Sequence, residues 1–262
     1  MNGGETMSNN LQMPFQDIIG ENSPVQQALK HLRILVDEKP MPNANSDQSK
    51  SASALILTHL LGLCNSTGLI NCRGYHSAAI TMFRPIEDAT DCFAAVALNV
   101  NAAKNWIEGN LKSSDAAKIW TNAVNLVMSD GIYLSEYRKI IRHALNNYSH
   151  CTPNQANWNV YLESIDEKKC MMELNTKPLV INMNAYYIDR YLCTHLYELI
   201  EIILIAFSEY FKDHYSLKER LERLQIEIEK IVIDFLGFIE SEKIDVSIAP
   251  EIGRLKDCED TL

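Results

Sequence analysis

The polar residues of the segment 133–150 are the ones whose types and spacing best suit chemistry. Four residues separate Arg138 from His143, and Asn146 and His150 are four positions apart, which places the last two on one face of a helix. Histidine titrates near neutral pH and can act as a general acid or base, and arginine stabilises charge on a phosphate. Such a set suits RNA cleavage at the ribose 2′-hydroxyl without a metal. A solvated helix face with a few polar contacts is the alternative, because this spacing also arises by chance.

The same segment has the clearest helical pattern in the chain. Successive residues of an α-helix are about 100° apart, and at that angle the apolar side chains fill one arc, namely Tyr133, Leu134, Tyr137, Ile140, Ile141, Ala144, Leu145 and Tyr148. Polar side chains fill the other arc, namely Arg138, Lys139, Arg142, His143, Asn146, Asn147, Ser149 and His150. The sequence therefore predicts a helix that packs on its apolar arc and presents its basic residues on the opposite face.

Arg84 and Glu87 form a second charged pair inside an otherwise apolar segment. Charges in such a segment should be paired or should line a cleft. We interpret them either as a structural ion pair that fixes helix packing or as a second wall of the site. Pro85 interrupts the segment, because proline lacks a backbone donor and clashes with the preceding turn. A helix that restarts there would have Glu87 and Asp88 in its first turn.

The chain has no motif for a metal or a cofactor. A carboxylate-bridged di-metal bundle uses Glu-x-x-His from two helices, and here only the reverse order occurs, once, at His195 and Glu198. We interpret His195 as a packed or exposed histidine. The sequence also lacks His-Glu-x-x-His, the glycine-rich phosphate loops and Gly-x-Ser-x-Gly, so zincin, nucleotide, dinucleotide and common hydrolase chemistry have no support. We expect neither a cofactor nor a metal.

Charge and cysteine content indicate a cytoplasmic protein. The 262 residues carry a net charge of −10, which favours solubility and disfavours broad attraction to nucleic acid or anionic membranes. Seven cysteines are scattered singly, without a Cys-x-x-Cys pair, as in a reducing compartment. The first ten residues do not resemble a signal peptide. The most apolar stretch, 199–207, is too short to span a bilayer and contains Glu201.

Ten glycines and eight prolines are few for this length, which favours long helices. We predict helices over about 24–37, 52–65, 75–100 with the interruption at Pro85, 102–108, 114–129 with Ser114 as N-cap, 133–150, 184–214 and 217–242. The segment 158–177 predicts one small β-hairpin. We therefore expect an all-α bundle of about seven to eight helices with this hairpin. It forms a single domain over 22–245, between a disordered segment 1–21 and an irregular tail 246–262.

Several of these segments together resemble the HEPN superfamily of prokaryotic helical proteins. They are GYHSAAITMFRPIEDA at 74–89, NAAKNWIEGN at 101–110, and a helix that ends in LNNYSHCTP at 145–153, followed by the hairpin and a long helix. The likeness is to large bacterial branches with Arg-x-x-Glu in one helix and Tyr-x-His before Thr-Pro. It covers about 52–212, roughly three fifths of the chain.

The resemblance implies a helical bundle that often dimerises and, in many members, a metal-independent endoribonuclease of toxin–antitoxin, abortive-infection and antiviral systems. The family's catalytic pattern is an arginine followed a few residues later by a histidine. Arg138 and His143 match this pattern, with Lys139 in the polar slot after the arginine. In a dimer, two such faces would meet across a cleft and concentrate basic residues for RNA.

An alternative placement of the family pattern uses Asn146 and His150. There Leu145 replaces the arginine of the pattern, and Arg142 lies one turn earlier on the same face. Some members keep the fold and only bind.

The sequence therefore predicts a HEPN-like, metal-independent endoribonuclease that acts on RNA as a toxin or antiviral-defence effector. We expect a homodimer, and an antitoxin or defence-system partner protein. The predicted catalytic residues are a histidine as acid or base, two arginines as phosphate ligands and an orienting asparagine: His143 or His150, Arg138, Arg142 and Asn146. Arg84 and Glu87 would support them from a neighbouring helix. The alternative is a non-catalytic helical binding or regulatory module that dimerises or partners a separate enzyme.

Overall fold

The structure, a computed structural model, describes residues 24–37, 48–127, 131–149, 161–166, 171–175 and 182–241. In this part of the chain, eight helices have eight or more residues and two have six: α1 Pro24–Asp37, α2 Gln48–Cys72, α3 His76–Thr81, α4 Phe83–Leu98, α5 Val100–Ile107, α6 Ser113–Val124, α7 Leu134–Ser149, α8 Asn182–Ala206, α9 Ser208–Asp213 and α10 Tyr215–Ser241. The predicted all-α bundle is confirmed. The predicted disordered segment 1–21, the tail 246–262 and His150 lie outside the described residues.

Two short strands occupy the segment for which the sequence predicted a hairpin. Strand β1, Tyr161–Asp166, pairs antiparallel with β2, Met171–Asn175. Tyr161 lies opposite Asn175 and Asp166 opposite Met171, with a register irregularity between Leu162 and Ser164. The strands precede α8.

The predicted interruption near Pro85 lies a few residues earlier than the proline itself. Helix α3 ends at Thr81, Met82 forms the turn, and α4 begins at Phe83. Pro85 is thus in the first turn of α4, where the missing backbone donor costs no helical hydrogen bond. The expectation that Glu87 and Asp88 lie in the first turn is wrong, because the restart at Phe83 places both in the second turn.

The core is built around α2, α4 and α8. Helix α2 packs against α4, α4 against α6, and α8 against α10. Residues 51–72 of α2 are long and apolar enough, by length and composition alone, to cross a membrane. One face of this helix is buried in the bundle, with Leu57 and Leu60 fully inaccessible. Helix α2 extends beyond its predicted end at 65.

A buried polar link fixes the end of α2 to the start of α8. The Asn71 amide nitrogen donates to Asp189 Oδ1 and to the Ala185 carbonyl, both at 2.8 Å. Asn71 Oδ1 lies 2.7 Å from Nδ1 of the buried His76, which therefore carries the proton on that nitrogen. Burial raises the pKa of Asp189 to about 7. Helices α2, α3 and α8 are held in register by these hydrogen bonds.

Helix α6 and the long helix predicted over 184–214 differ from their predicted bounds. Helix α6 begins at Ser113 with Lys112 as its N-cap, so the predicted cap at Ser114 is wrong. It ends at Val124 rather than near 129, because Asn125 adopts a left-handed conformation (φ 47°) that stops the helix. The predicted helix 184–214 is divided at Phe207 into α8 and α9.

Two leucines of α2 test which face of this helix the bundle buries. We expect Leu60→Ala to lower the free energy of unfolding by about 2–5 kcal/mol, because it leaves a cavity in the core. Leu55 is 62% exposed, so Leu55→Ala should change the free energy by less than about 0.5 kcal/mol. Urea denaturation followed by circular dichroism measures both. Equal losses in the two variants would contradict this placement of α2.

Candidate functional site

Seven charged side chains from three helices meet in the interior beside α7. We call this set the arginine–carboxylate cluster: Arg84, Glu87, Asp88 and Asp91 of α4, Arg138 and Arg142 of α7, and Glu198 of α8. On α4, Arg84 is three and four positions before Glu87 and Asp88, and Asp91 is four and three positions after them, so the four side chains lie on neighbouring parts of one helix face. Arg138 and Arg142 share a face of α7 for the same reason. Their convergence requires α4, α7 and α8 to pack together.

Arg138 is at the centre of the cluster and is only 3% exposed. Its Nη2 lies 2.5 Å from Glu87 Oε2 and 3.0 Å from Asp91 Oδ1, and its Nη1 lies 3.5 Å from Glu198 Oε2. The guanidinium carbon is 5.9 Å from the centre of the Trp120 ring, whose Nε1 donates to Asp91 at 2.8 Å. Burial lowers the pKa of Arg138, but the three carboxylates outweigh this and raise it well above its usual value.

The burial of Arg138 corrects the predicted orientation of α7. The buried stripe of this helix contains Arg138, Ile141, Leu145 and Tyr148, whereas Tyr133 and Ile140 at the other edge of the apolar arc are 58% and 36% exposed. Carboxylates on α4 and α8 offset the cost of burying the guanidinium, so the helix packs on a face rotated towards Arg138.

Arg84 and Glu87 do not pair with each other. Arg84 Nε forms an ion pair with Asp88 at 3.0 Å, and its Nη1 donates to the Arg142 carbonyl at 2.9 Å and to Asn146 Oδ1 at 3.0 Å. Arg142 forms ion pairs with Asp91 and, at 3.8 Å, with Asp88. The expected ion pair within Arg-Pro-Ile-Glu is therefore wrong, since each member binds a residue of another turn or helix.

Glu87 accepts hydrogen bonds from two α8 side chains in addition to its ion pair with Arg138. The Tyr191 hydroxyl is 2.5 Å from Glu87 Oε1, and His195 Nδ1 is 3.3 Å from the same oxygen. Burial opposes the charged form of Glu87, but Arg138 and His195 outweigh it and hold the pKa of this carboxyl well below its usual range. Because an ionised carboxylate only accepts, the proton of His195 lies on Nδ1.

A cavity of about 360 Å³ lies beside the cluster, between α7 and α8. Its lining is mostly apolar and includes five tyrosines, which are Tyr137, Tyr148, Tyr187, Tyr191 and Tyr197. Glu87, Arg138 and Glu198 of the cluster also line it, with His195. The fixed charges therefore form one part of an otherwise apolar wall.

The predicted catalytic residues are divided between the interior and the surface. Arg138 is buried and Arg142 is half-buried, whereas His143 and Asn146 are exposed. Five positions along a helix turn a side chain by about 140°, so Arg138 and His143 point to different sides of α7. Asn146 Oδ1 accepts a hydrogen bond from Arg84 at 3.0 Å.

Four further side chains line the cavity that were not predicted from the sequence as site residues. They are Tyr137 of α7 and Tyr191, His195 and Glu198 of α8. His195 was expected to be packed or exposed, and it is buried with Nε2 3.0 Å from Thr90 Oγ1. Tyr191, His195 and Glu198 recur at positions four and three apart, which places them on one helix face. Polar side chains at this spacing in an otherwise apolar helix are the feature of the sequence that could have indicated this part of the site.

Among the described residues, no group of three or more His, Cys, Asp or Glu side chains has an arrangement that could hold a metal ion. Comparison of the chain with family models, with curated proteins and with solved structures finds no match. The fold and site thus define a helical bundle with a buried arginine–carboxylate cluster beside an apolar cavity.

Acid sensitivity tests the ionised state of Glu87. A carboxylate whose pKa is depressed by folding stabilises the folded state above its unfolded pKa of about 4.3, and this stabilisation is lost as the pH falls below it. We expect Glu87→Gln to lower the free energy of unfolding by about 3–5 kcal/mol near neutral pH, because Arg138 loses a buried partner. The difference from the unmodified protein should shrink as the pH falls towards about 3.

Urea titrations at several pH values measure this difference. Glu136→Gln, at an exposed position of the same helix as Arg138, is the matched control and should follow the unmodified protein at every pH. A Glu87→Gln difference that stays constant with pH would contradict an ionised Glu87.

Proposed function

We propose that this protein is a non-catalytic helical binding module that holds a small ligand in the cavity between α7 and α8. The observation that carries the proposal is the cavity itself. Its volume of about 360 Å³ lies within the range of about 300–1,000 Å³ that is common for small-molecule sites. Such sites combine apolar walls with a few oriented polar groups, as this one does.

The charge pairing in the cluster favours binding over phosphate chemistry at Arg138. An arginine that stabilises a phosphate needs a guanidinium edge free to meet it. Arg138 contacts Glu87, Asp91 and Glu198 within 3.5 Å and is 3% exposed. Three carboxylates around it repel an anion and hold the side chain in place, so it suits a fixed wall of a binding site.

The cavity is preorganised by contacts that need no ligand. Tyr191 stacks on Phe83 with ring centres 3.6 Å apart and is held by Glu87. Tyr137 donates to Glu198 Oε1 at 3.0 Å. Residues of α4 therefore hold Tyr191, and a residue of α8 holds Tyr137. Because these two of the five cavity tyrosines are ordered before a ligand binds, the entropic cost of ligand binding is lower.

A cavity-filling substitution tests this function. We expect the neutral dye N-phenylnaphthylamine to bind with a saturable rise in fluorescence. Ala144→Leu, at a cavity-lining position of α7, should weaken dye binding by at least about tenfold because the added side chain occupies ligand space. Lys139→Leu, on the exposed face of α7, is the matched control and should leave the affinity unchanged.

Thermal denaturation of each variant confirms folding in this test. Equal dye affinity in the Ala144→Leu protein, or no saturable binding to the unmodified protein, would contradict the proposal.

The second candidate is the metal-independent endoribonuclease activity of a HEPN-like toxin or defence effector. The exposed end of α7 favours it, because Arg84 Nη1 meets Asn146 Oδ1 at 3.0 Å one turn after the exposed His143. An arginine, an asparagine and a histidine thus lie near one another at the surface. A homodimer that apposes two such ends would provide the basic surface for RNA that one acidic chain lacks.

Cleavage of labelled total cellular RNA in the presence of a chelator tests this second candidate. If it holds, cleavage resists the chelator and is lost in either His143→Ala or His150→Ala, since one histidine supplies the proton transfer. Lys139→Ala serves as the control for lost positive charge on α7. Absent cleavage, or equal cleavage by all variants, would contradict it. Arg138→Ala is unsuitable here, because it removes a buried ion-pair partner and destabilises the fold.

A further inference from the structure

The carboxylates of the arginine–carboxylate cluster are paired unequally. Four carboxylates share three guanidinium groups, and Glu87 also contacts His195 at 3.3 Å. Asp88 and Asp91 lie between Arg84, Arg138 and Arg142. Glu87 has the shortest contact to Arg138, at 2.5 Å. Glu198 is left with the longest contact to that arginine, at 3.5 Å.

His195 pairs with Glu87 rather than with Glu198. Its Nδ1 donates to Glu87 Oε1 at 3.3 Å. Its Nε2 lies 3.0 Å from Thr90 Oγ1, whose hydroxyl donates to the Ile86 carbonyl. Both ring nitrogens therefore have partners other than Glu198.

Glu198 is the carboxylate of the cluster with the weakest pairing to a guanidinium. It lines the cavity and is 26% exposed, whereas Glu87 and Arg138, the other two cluster residues in the lining, are each 3% exposed. Its Oε1 accepts from the Tyr137 hydroxyl, and its Oε2 makes the long contact to Arg138. Burial and the nearby charge of Glu87 raise the pKa of Glu198, and Arg138 offsets them only in part.

The aromatic rings of the lining also favour a cation. The charged groups of the lining are the carboxylates of Glu87, Glu198 and Glu201 and the guanidinium groups of Arg138 and Arg190, with the imidazole of His195 beside them. Five tyrosine rings line it as well, and the face of an aromatic ring attracts a cation. Burial and nearby carboxylates, Glu87 among them, raise the pKa of Tyr137 and Tyr191, as a negative local potential requires.

We propose that the ligand of this cavity is an organic cation, with its ammonium group against Glu198 and its apolar body among the tyrosine rings. This inference rests on the proposed binding function and specifies the chemical class of the ligand. The ammonium would give Glu198 a close counter-charge, and the apolar body would displace water from the aromatic wall.

A pair of probes that differ in charge tests the inference. Phenethylammonium and phenethyl alcohol have similar size and the same ring, and isothermal titration calorimetry gives the affinity of each. We expect the full-length protein to bind the ammonium compound about tenfold or more tightly than the alcohol. In Glu198→Gln the affinities should become similar, because the amide keeps the hydrogen bond from Tyr137 and removes the charge.

Two further measurements separate a specific ion pair from general attraction. Glu136→Gln removes one negative charge at an exposed position outside the cavity lining, and it should keep the full preference for the ammonium compound. Lowering the pH should weaken ammonium binding as Glu198 takes up a proton, while alcohol binding stays constant. The groups that face Glu198 in this titration are Glu87 of α4, Tyr137 and Arg138 of α7, and His195 and Glu201 of α8.

The outcomes distinguish this inference from the function on which it rests. Equal affinities for the two probes in the unmodified protein would overturn the organic cation and leave the binding cavity in place. An ammonium preference that persists in Glu198→Gln would overturn the assignment of Glu198. Failure of both probes to bind, together with failure of the neutral dye, would overturn the binding function as well.

Discussion

The buried ion pairs of Arg138 are the interaction on which the rest of this structure depends. Removing a guanidinium from water costs several kcal/mol, roughly, unless carboxylates meet it with good geometry. Glu87 and Asp91 come from α4 and Glu198 comes from α8. One side chain of α7 thereby constrains the rotation of its own helix and the position of two others. A helix packed on its most apolar face would turn the guanidinium of Arg138 away from these three carboxylates.

The cavity between α7 and α8 is a consequence of the same constraint. Helix α7 packs mainly against α3, α4 and α6, and α8 packs against α2, α4 and α10. Between α7 and α8 lie the side chains of Tyr137, Arg138 and Glu198, which contact one another through polar atoms. Tyrosine rings and aliphatic side chains of both helices line the space that remains between them. Polar residues that fix the helices also keep a site open between them.

The two candidate functions use different faces of α7. Its inner face bears Arg138, Ile141 and Leu145 against the cavity, where charge and shape are fixed by neighbours. Its outer face bears His143 and Asn146, which are open to solvent near Arg84. Substitutions on one face leave the other intact, and the ligand-binding and RNA-cleavage hypotheses are therefore separable by experiment. Both hypotheses are compatible with an acidic chain. Ligand binding would use the negative charge of a carboxylate in the cavity, and RNA cleavage would use the basic surface that two copies of the chain provide together.

The sequence by itself determined the class of fold and most of its elements. Few glycines and prolines, and apolar residues at helical spacing, predicted the helices, the restart near Pro85 and the hairpin segment, because these follow from local backbone preferences. Only the tertiary structure decided that Arg138 is buried, that Arg84 and Glu87 bind different partners, and that His195 and Glu198 join the same cluster. Periodicity ranks side chains by polarity, and Arg138 therefore fell on the polar arc. Its burial is favourable only when carboxylates from two distant helices surround it, and their convergence is a property of packing rather than of spacing along the chain.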